Sequence, residues 1–149
     1  MLNNEMIRYI VLFVFCIYFS KEDIKTKCIN NKAMLLSACI GFLLLLFSMD
    51  KFVYISNISA GILGFLISFF AAWLSKREIG MGDVKLIGTA GFYIGMISLQ
   101  IAIFWALVLI LLLGLIQWIT KKITIKKEYP FVPFFTVGVF IAFCMRLFN

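Results

Sequence analysis

Two acidic positions stand out in a chain that is otherwise poor in charge: Glu22-Asp23, and the glycine-flanked step Gly80-Met81-Gly82-Asp83. A carboxylate that opens an apolar segment is costly in lipid, so it needs a compensating reason. Two carboxylates brought together supply one. They share a single proton, because like charges in contact do not easily ionise together. One carboxylate then activates a water, and the other donates a proton to the scissile carbonyl oxygen and passes it to the leaving amine. This is aspartic peptide hydrolysis, and it calls for no metal and no cofactor. The chain has no histidine, which removes Ser-His triads and the HExxH metalloprotease pattern. Its four cysteines, Cys16, Cys28, Cys39 and Cys144, form no C-x-x-C pair, so no zinc spacing is present.

Each position also has a plainer reading. Asp83 follows Gly80 and Gly82 at the start of a helical run, where a carboxylate serves as a cap and complements the helix dipole. The glycines equally admit a substrate backbone close to the carboxylate. Asp23 lies among Lys21, Lys25 and Lys27 and reads on its own as a solvated loop residue. Glu22 competes with it: adjacent helical residues point about 100° apart, so only one of the two can readily face Asp83.

The elements that must position these groups are membrane helices. The 149 residues are 64% hydrophobic and 14% charged, with a mean hydropathy of +1.08, whereas a soluble domain carries roughly 25% charged residues. Apolar runs predict helices over about 6–19, 33–49 and 52–74. A longer run over 84–120 is on the order of 54 Å as one helix, too long for a single crossing of a bilayer core roughly 30 Å thick. It should divide near 95–100 into helices 4 and 5. A sixth helix follows Pro130-Phe131-Val132-Pro133 and ends near 148. The first run has only Arg8 as a basic flank and no small-residue cleavage site, so it reads as a retained helix rather than a signal peptide. No repeat, low-complexity segment or linker divides the chain, and residues 1–149 read as one membrane-embedded domain.

The net charge of +7 is explained by its distribution, not by nucleic-acid binding. Of the fourteen Lys and Arg residues, only Arg8, Lys51 and Arg146 fall away from the segments between helices 1 and 2, 3 and 4, and 5 and 6, with Lys85, just inside helix 4, counted with the second of these. This bias places those three segments in the cytoplasm and both termini outside, and it attracts anionic headgroups. Asp23 and Asp83 then share the cytoplasmic face of a six-helix, all-α, multi-pass plasma-membrane protein.

Gly80-Met81-Gly82-Asp83-Val84-Lys85-Leu86 resembles the GxGDxKL motif of the type IV prepilin peptidases, the A24 aspartic proteases that include preflagellin peptidases. Asp23 to Asn31 resembles the first motif of that family, with Asn30 where proline is common. Pro130 to Phe134 resembles the PFxPF opening of its last helix. The three motifs occur in the expected order. The resemblance implies Asp23 and Asp83 as the catalytic pair, with Gly80, Gly82 and Lys85 as motif residues beside them. It implies a pilin-like preprotein as the partner, its short basic leader cut just before the hydrophobic helix. Glu22, Glu78 and Glu128 are the acidic residues available to dock such a leader. The chain lacks the paired CxxC motifs and the length of the methylating members, and resembles the short, core-only branch, with no S-adenosylmethionine site to point to.

Rival readings are a non-catalytic assembly protein, an ion- or proton-coupled transporter subunit, and a presenilin-type protease. The helices carry few polar residues to line a transport path. The presenilin type is expected to have tyrosine before its first aspartate, where Glu22 stands here. Intrahelical glycines such as Gly61, Gly64, Gly88 and Gly91 read first as close packing in lipid, and Lys85 as a snorkelling side chain. The oligomeric state is not legible.

Overall fold

The computed structural model describes residues 2–48, 50–75, 79–120 and 130–148. Five helices are traced: α1 Leu2–Thr26, α2 Asn31–Leu46, α3 Lys51–Leu74, α4 Met81–Ile119 and α5 Phe131–Phe148. By length and composition α3, α4 and α5 are apolar enough to cross a membrane, and α2 is a shorter apolar helix.

The sequence led to six helices. The fourth and fifth are traced as one element, α4, but its backbone leaves helical geometry at Gly95 (φ 73°, ψ 178°), which divides it where the break is expected. This is the first residue of the expected 95–100 turn. A methyl group placed on Gly64 would meet both Ile87 and Leu99. Twelve residues of straight helix span about 18 Å, so α4 folds back on itself at Gly95, and both arms lie against α3. The positive φ suits glycine, and a side chain there would also run into Asn57. A break in a helix orphans carbonyl groups, and in an apolar setting these need partners. Asn57 of α3 supplies them: its Nδ2 donates to the carbonyls of Phe92 (2.9 Å) and Tyr93 (3.2 Å).

Helix α1 runs further than the apolar pattern suggested, through the charged stretch to Thr26. Tyr18 and Glu22, one turn apart, are joined by a 2.8 Å bond from Tyr18 Oη to Glu22 Oε1. The helix closes at Lys27, which adopts a left-handed φ of 53° and donates its N–H to the Asp23 carbonyl. This is a common way of satisfying a terminal carbonyl. Asp23 is therefore held on a helix, not in a loop. Asn30 caps α2 by accepting from the Lys32 N–H at 2.9 Å, and Asp50 caps α3 by accepting from Phe52 at 2.9 Å.

Packing is arranged for lipid. The buried positions of α3 are Asn57, Ala60, Gly61, Gly64, Ser68 and Ala72, while Phe65, Phe69, Phe70 and Trp73 point outward. Small residues inside let helix backbones approach closely, and bulky ones outside face acyl chains. A methyl group on Gly91 would lie 2.5 Å from backbone atoms of Ala60 and Gly61. One on Gly138 would collide with the Ala102 carbonyl oxygen. Gly91 is thus a packing residue, as the sequence suggests. Between these helices and α1 the core is filled by Leu12, Cys16, Phe19, Leu86, Tyr93 and Phe135.

Candidate active site

One end of the bundle gathers the last turns of α1 and the first turns of α2, α4 and α5. Asp23 is buried there, with 7% of its surface exposed. Its Oδ2 accepts the backbone N–H of Val132 at 3.1 Å. Val132 is the second residue of α5, so its N–H is one of the donors a helix start leaves unpaired. The flanking prolines, Pro130 and Pro133, have no N–H to offer and favour a helix start. Asp23 thus sits against a positively polarised helix end. Burial pushes its carboxyl above the ordinary carboxylate value, while the Val132 N–H and the Lys27 charge pull the other way.

Asp83 lies half-buried in the first turn of α4. It is close enough to Asp23 for the two charges to interact. Among the described residues its carboxylate accepts no hydrogen bond, so capping does not account for its position. The two glycines before it have separate tasks. A methyl group on Gly80 would crowd the Asp83 Oδ2 at 3.2 Å. One on Gly82 would press on the Ile29 side chain at 3.2 Å, so Gly82 lets the α1–α2 connection pack against α4.

That connection is fixed by side chains that the sequence reading assigned elsewhere. Both oxygens of Glu22 are engaged: Oε1 by the Tyr18 hydroxyl and Oε2 by the Asn30 N–H at 3.1 Å. A proline at position 30 would have no N–H for this bond, so Asn30 both caps α2 and ties it to α1. Lys85 donates from Nζ to the Asn31 Oδ1 at 2.8 Å, which joins α4 to the start of α2. Glu78 and Glu128 lie outside the described residues.

The structure therefore brings Asp23, Asp83, Gly80, Gly82 and Lys85 to one end of the bundle. The partner that sequence reasoning missed is Val132; its only signal was a pair of prolines flanking a helix start. Beside Lys85 and Asn31 an apolar groove of about 500 Å³ runs between α2, α3 and α4, with Met34, Phe65, Gly88 and Thr89 among its walls.

Residues 10–115 match the type IV leader peptidase family. The chain belongs to that family. The match takes in both aspartates and ends before α5. An 80-residue stretch, 54% of this chain, is 29% identical to the prepilin leader peptidase/N-methyltransferase of Bacillus subtilis (strain 168) and covers 32% of that protein. No solved structure matches the chain. Membership supports a membrane peptidase and does not favour the transporter or assembly readings.

Proposed function

We propose that this chain is an aspartic endopeptidase of the plasma membrane that removes the short basic leader from type IV pilin-like precursors at the cytoplasmic face. The observation that carries the reading is the pairing of Asp23 and Asp83 at one end of the bundle, in surroundings that differ. Asp23 accepts a backbone N–H at the start of α5, which favours its charged form. The shared proton then rests on Asp83. Asp23 takes a proton from a water, the hydroxide adds to the scissile carbonyl carbon, and Asp83 protonates the carbonyl oxygen. Collapse of the tetrahedral species expels the amine, which leaves with a proton from the dyad. The pair titrates as a unit.

The fold-back at Gly95 supports a reading of six crossings, and the distribution of Lys and Arg supports the dyad end in the cytoplasm with both termini outside. The groove beside Lys85 suits the apolar segment that follows the cleavage point. Glu22, Glu78 and Glu128 are offered as contacts for the basic leader. Glu22 keeps acceptor capacity beyond its two bonds, since an ionised carboxylate has about four lone-pair sites.

The test is cleavage of a pilin-like precursor in membranes by the wild type, Asp23→Asn and Asp83→Asn at equal abundance. Loss of cleavage in both variants supports the dyad. Full cleavage by Asp23→Asn would move the role to Glu22, and full cleavage by Asp83→Asn would sink the aspartic mechanism.

A further inference from the structure

The opposite end of the bundle holds a second polar centre, and the dyad chemistry makes no use of it. Arg8 is buried there, with 3% of its surface exposed. Its Nε and Nη1 have no hydrogen-bond partner among the described residues, and the Tyr9 hydroxyl, with Ser98 as its near neighbour, makes no hydrogen bond of ordinary geometry there either. A guanidinium stays charged and carries donors only, so leaving it dry and unpaired is costly.

Arg8 borders two spaces. One is a cavity of about 80 Å³ lined by Tyr9, Ser56, Asn57, Ser98 and Arg146 among others. The other is a cleft of about 470 Å³ reached past Asn4, Ser48 and Lys51. Two carboxylates border these spaces: Glu5 lies one turn before Arg8, close enough for its charge to act on it, but neither Glu5 nor Asp50 is hydrogen-bonded to Arg8 Nε or Nη1. Glu5 pairs with Arg146 at 3.3 Å, and Asp50 caps α3. Around Arg8 stand hydroxyl and amide groups and the Glu5 carboxylate, with Lys51 and Asp50 at the cleft.

We propose that this centre binds an oxyanion of the phosphate class, through Arg8 and the Tyr9 hydroxyl. The ligand is either a phospholipid headgroup phosphate or free phosphate. A charged acceptor with several oxygens serves donors that neutral water pairs more weakly. The position fits a headgroup, because Arg8 stands where the apolar run of α1 begins. The bound anion joins α1 to the start of α3 and to the Gly95 break, so it strengthens the fold without touching the dyad.

The full chain, purified in a phosphorus-free alkyl maltoside and washed exhaustively, is assayed for bound phosphorus by ³¹P NMR. It is then melted in sodium phosphate, in sodium chloride of equal ionic strength, and with dihexanoyl phosphatidylglycerol. About one retained phosphorus per chain, or a rise in Tm of roughly 5 °C with the short-chain lipid alone, assigns the headgroup. A similar rise with inorganic phosphate but not chloride assigns the free anion. In Arg8→Lys, the half-saturating concentration should increase tenfold or more, and Arg8→Gln should lose the response. No retained phosphorus with no rise would overturn the site and leave a water-filled cavity. An equal rise in wild type and both variants would likewise overturn it, as general solvation by lipid or salt.

Discussion

The two ends of this bundle handle buried charge in opposite ways. At the dyad end two carboxylates lie close enough for their charges to interact, and one of them accepts a hydrogen bond from the start of α5. Among the described residues the Asp83 carboxylate has no hydrogen-bond partner, which suits the proposed sharing of a proton. At the Gly95 end the polar groups are mostly spent on structure: Asn57 repairs the break in α4, Glu5 pairs with Arg146, and Asp50 caps α3. The proposed chemistry sits where like charges are left together, and rigidity where polar groups are satisfied.

This contrast is open to test by mutation. The largest effect belongs to the dyad. Asp23→Asn and Asp83→Asn should each lower cleavage by about 10²- to 10⁴-fold, the usual worth of acid–base catalysis, with insertion and abundance unchanged. A leucine in place of Gly91 or Gly138 should act in the other direction, costing stability by about 1–3 kcal/mol or more through overpacking, read as a lower melting temperature. Replacing Asn57 with leucine should cost about 1–3 kcal/mol for each orphaned carbonyl, while the activity per folded molecule is kept. Loss of that specific activity would erase the division between the two ends.

The pH behaviour sharpens the same point. Asp23 has a carboxyl raised by burial above its ordinary, unfolded value. Its contribution to stability is therefore fully present below that ordinary value and is lost as the pH rises through the folded one. Asp23→Asn should then melt no lower than the wild type at neutral pH, and should lose any advantage in acid. Val132→Pro removes the N–H that holds Asp23 down. It should shift the acid limb of the cleavage profile upward, by about one pH unit or less, because Asp23 must be ionised to act as the base. The smallest effect is expected at Glu22. Tyr18→Phe and Glu22→Gln should lower stability by similar amounts, about 0.5–1.5 kcal/mol, if the clamp is the main task of this side chain. A cleavage defect in Glu22→Gln that Tyr18→Phe does not share would assign Glu22 to leader docking.

Much of the site was legible before the fold. GxGD marks a carboxylate at a helix start, and the apolar runs mark where each helix lies. The single surplus run over 84–120 demanded a break, and Gly95 makes it. Less legible were the reach of α1 to Thr26, which depends on the Tyr18–Glu22 bond and the left-handed Lys27, and the task of Asn30, which came from its N–H and not from its side chain type alone.

The sequence by itself determined the membrane class, the family motifs and the identity of the two aspartates, because hydropathy and short motifs are local properties. Tertiary structure alone decided that Val132 would serve Asp23, that Asn57 would mend α4, and that Arg8 would be buried. Each of these rests on a contact between residues distant in the chain, 109 apart for Asp23 and Val132. No local pattern encodes such a meeting; it follows from how small residues let the helices close together.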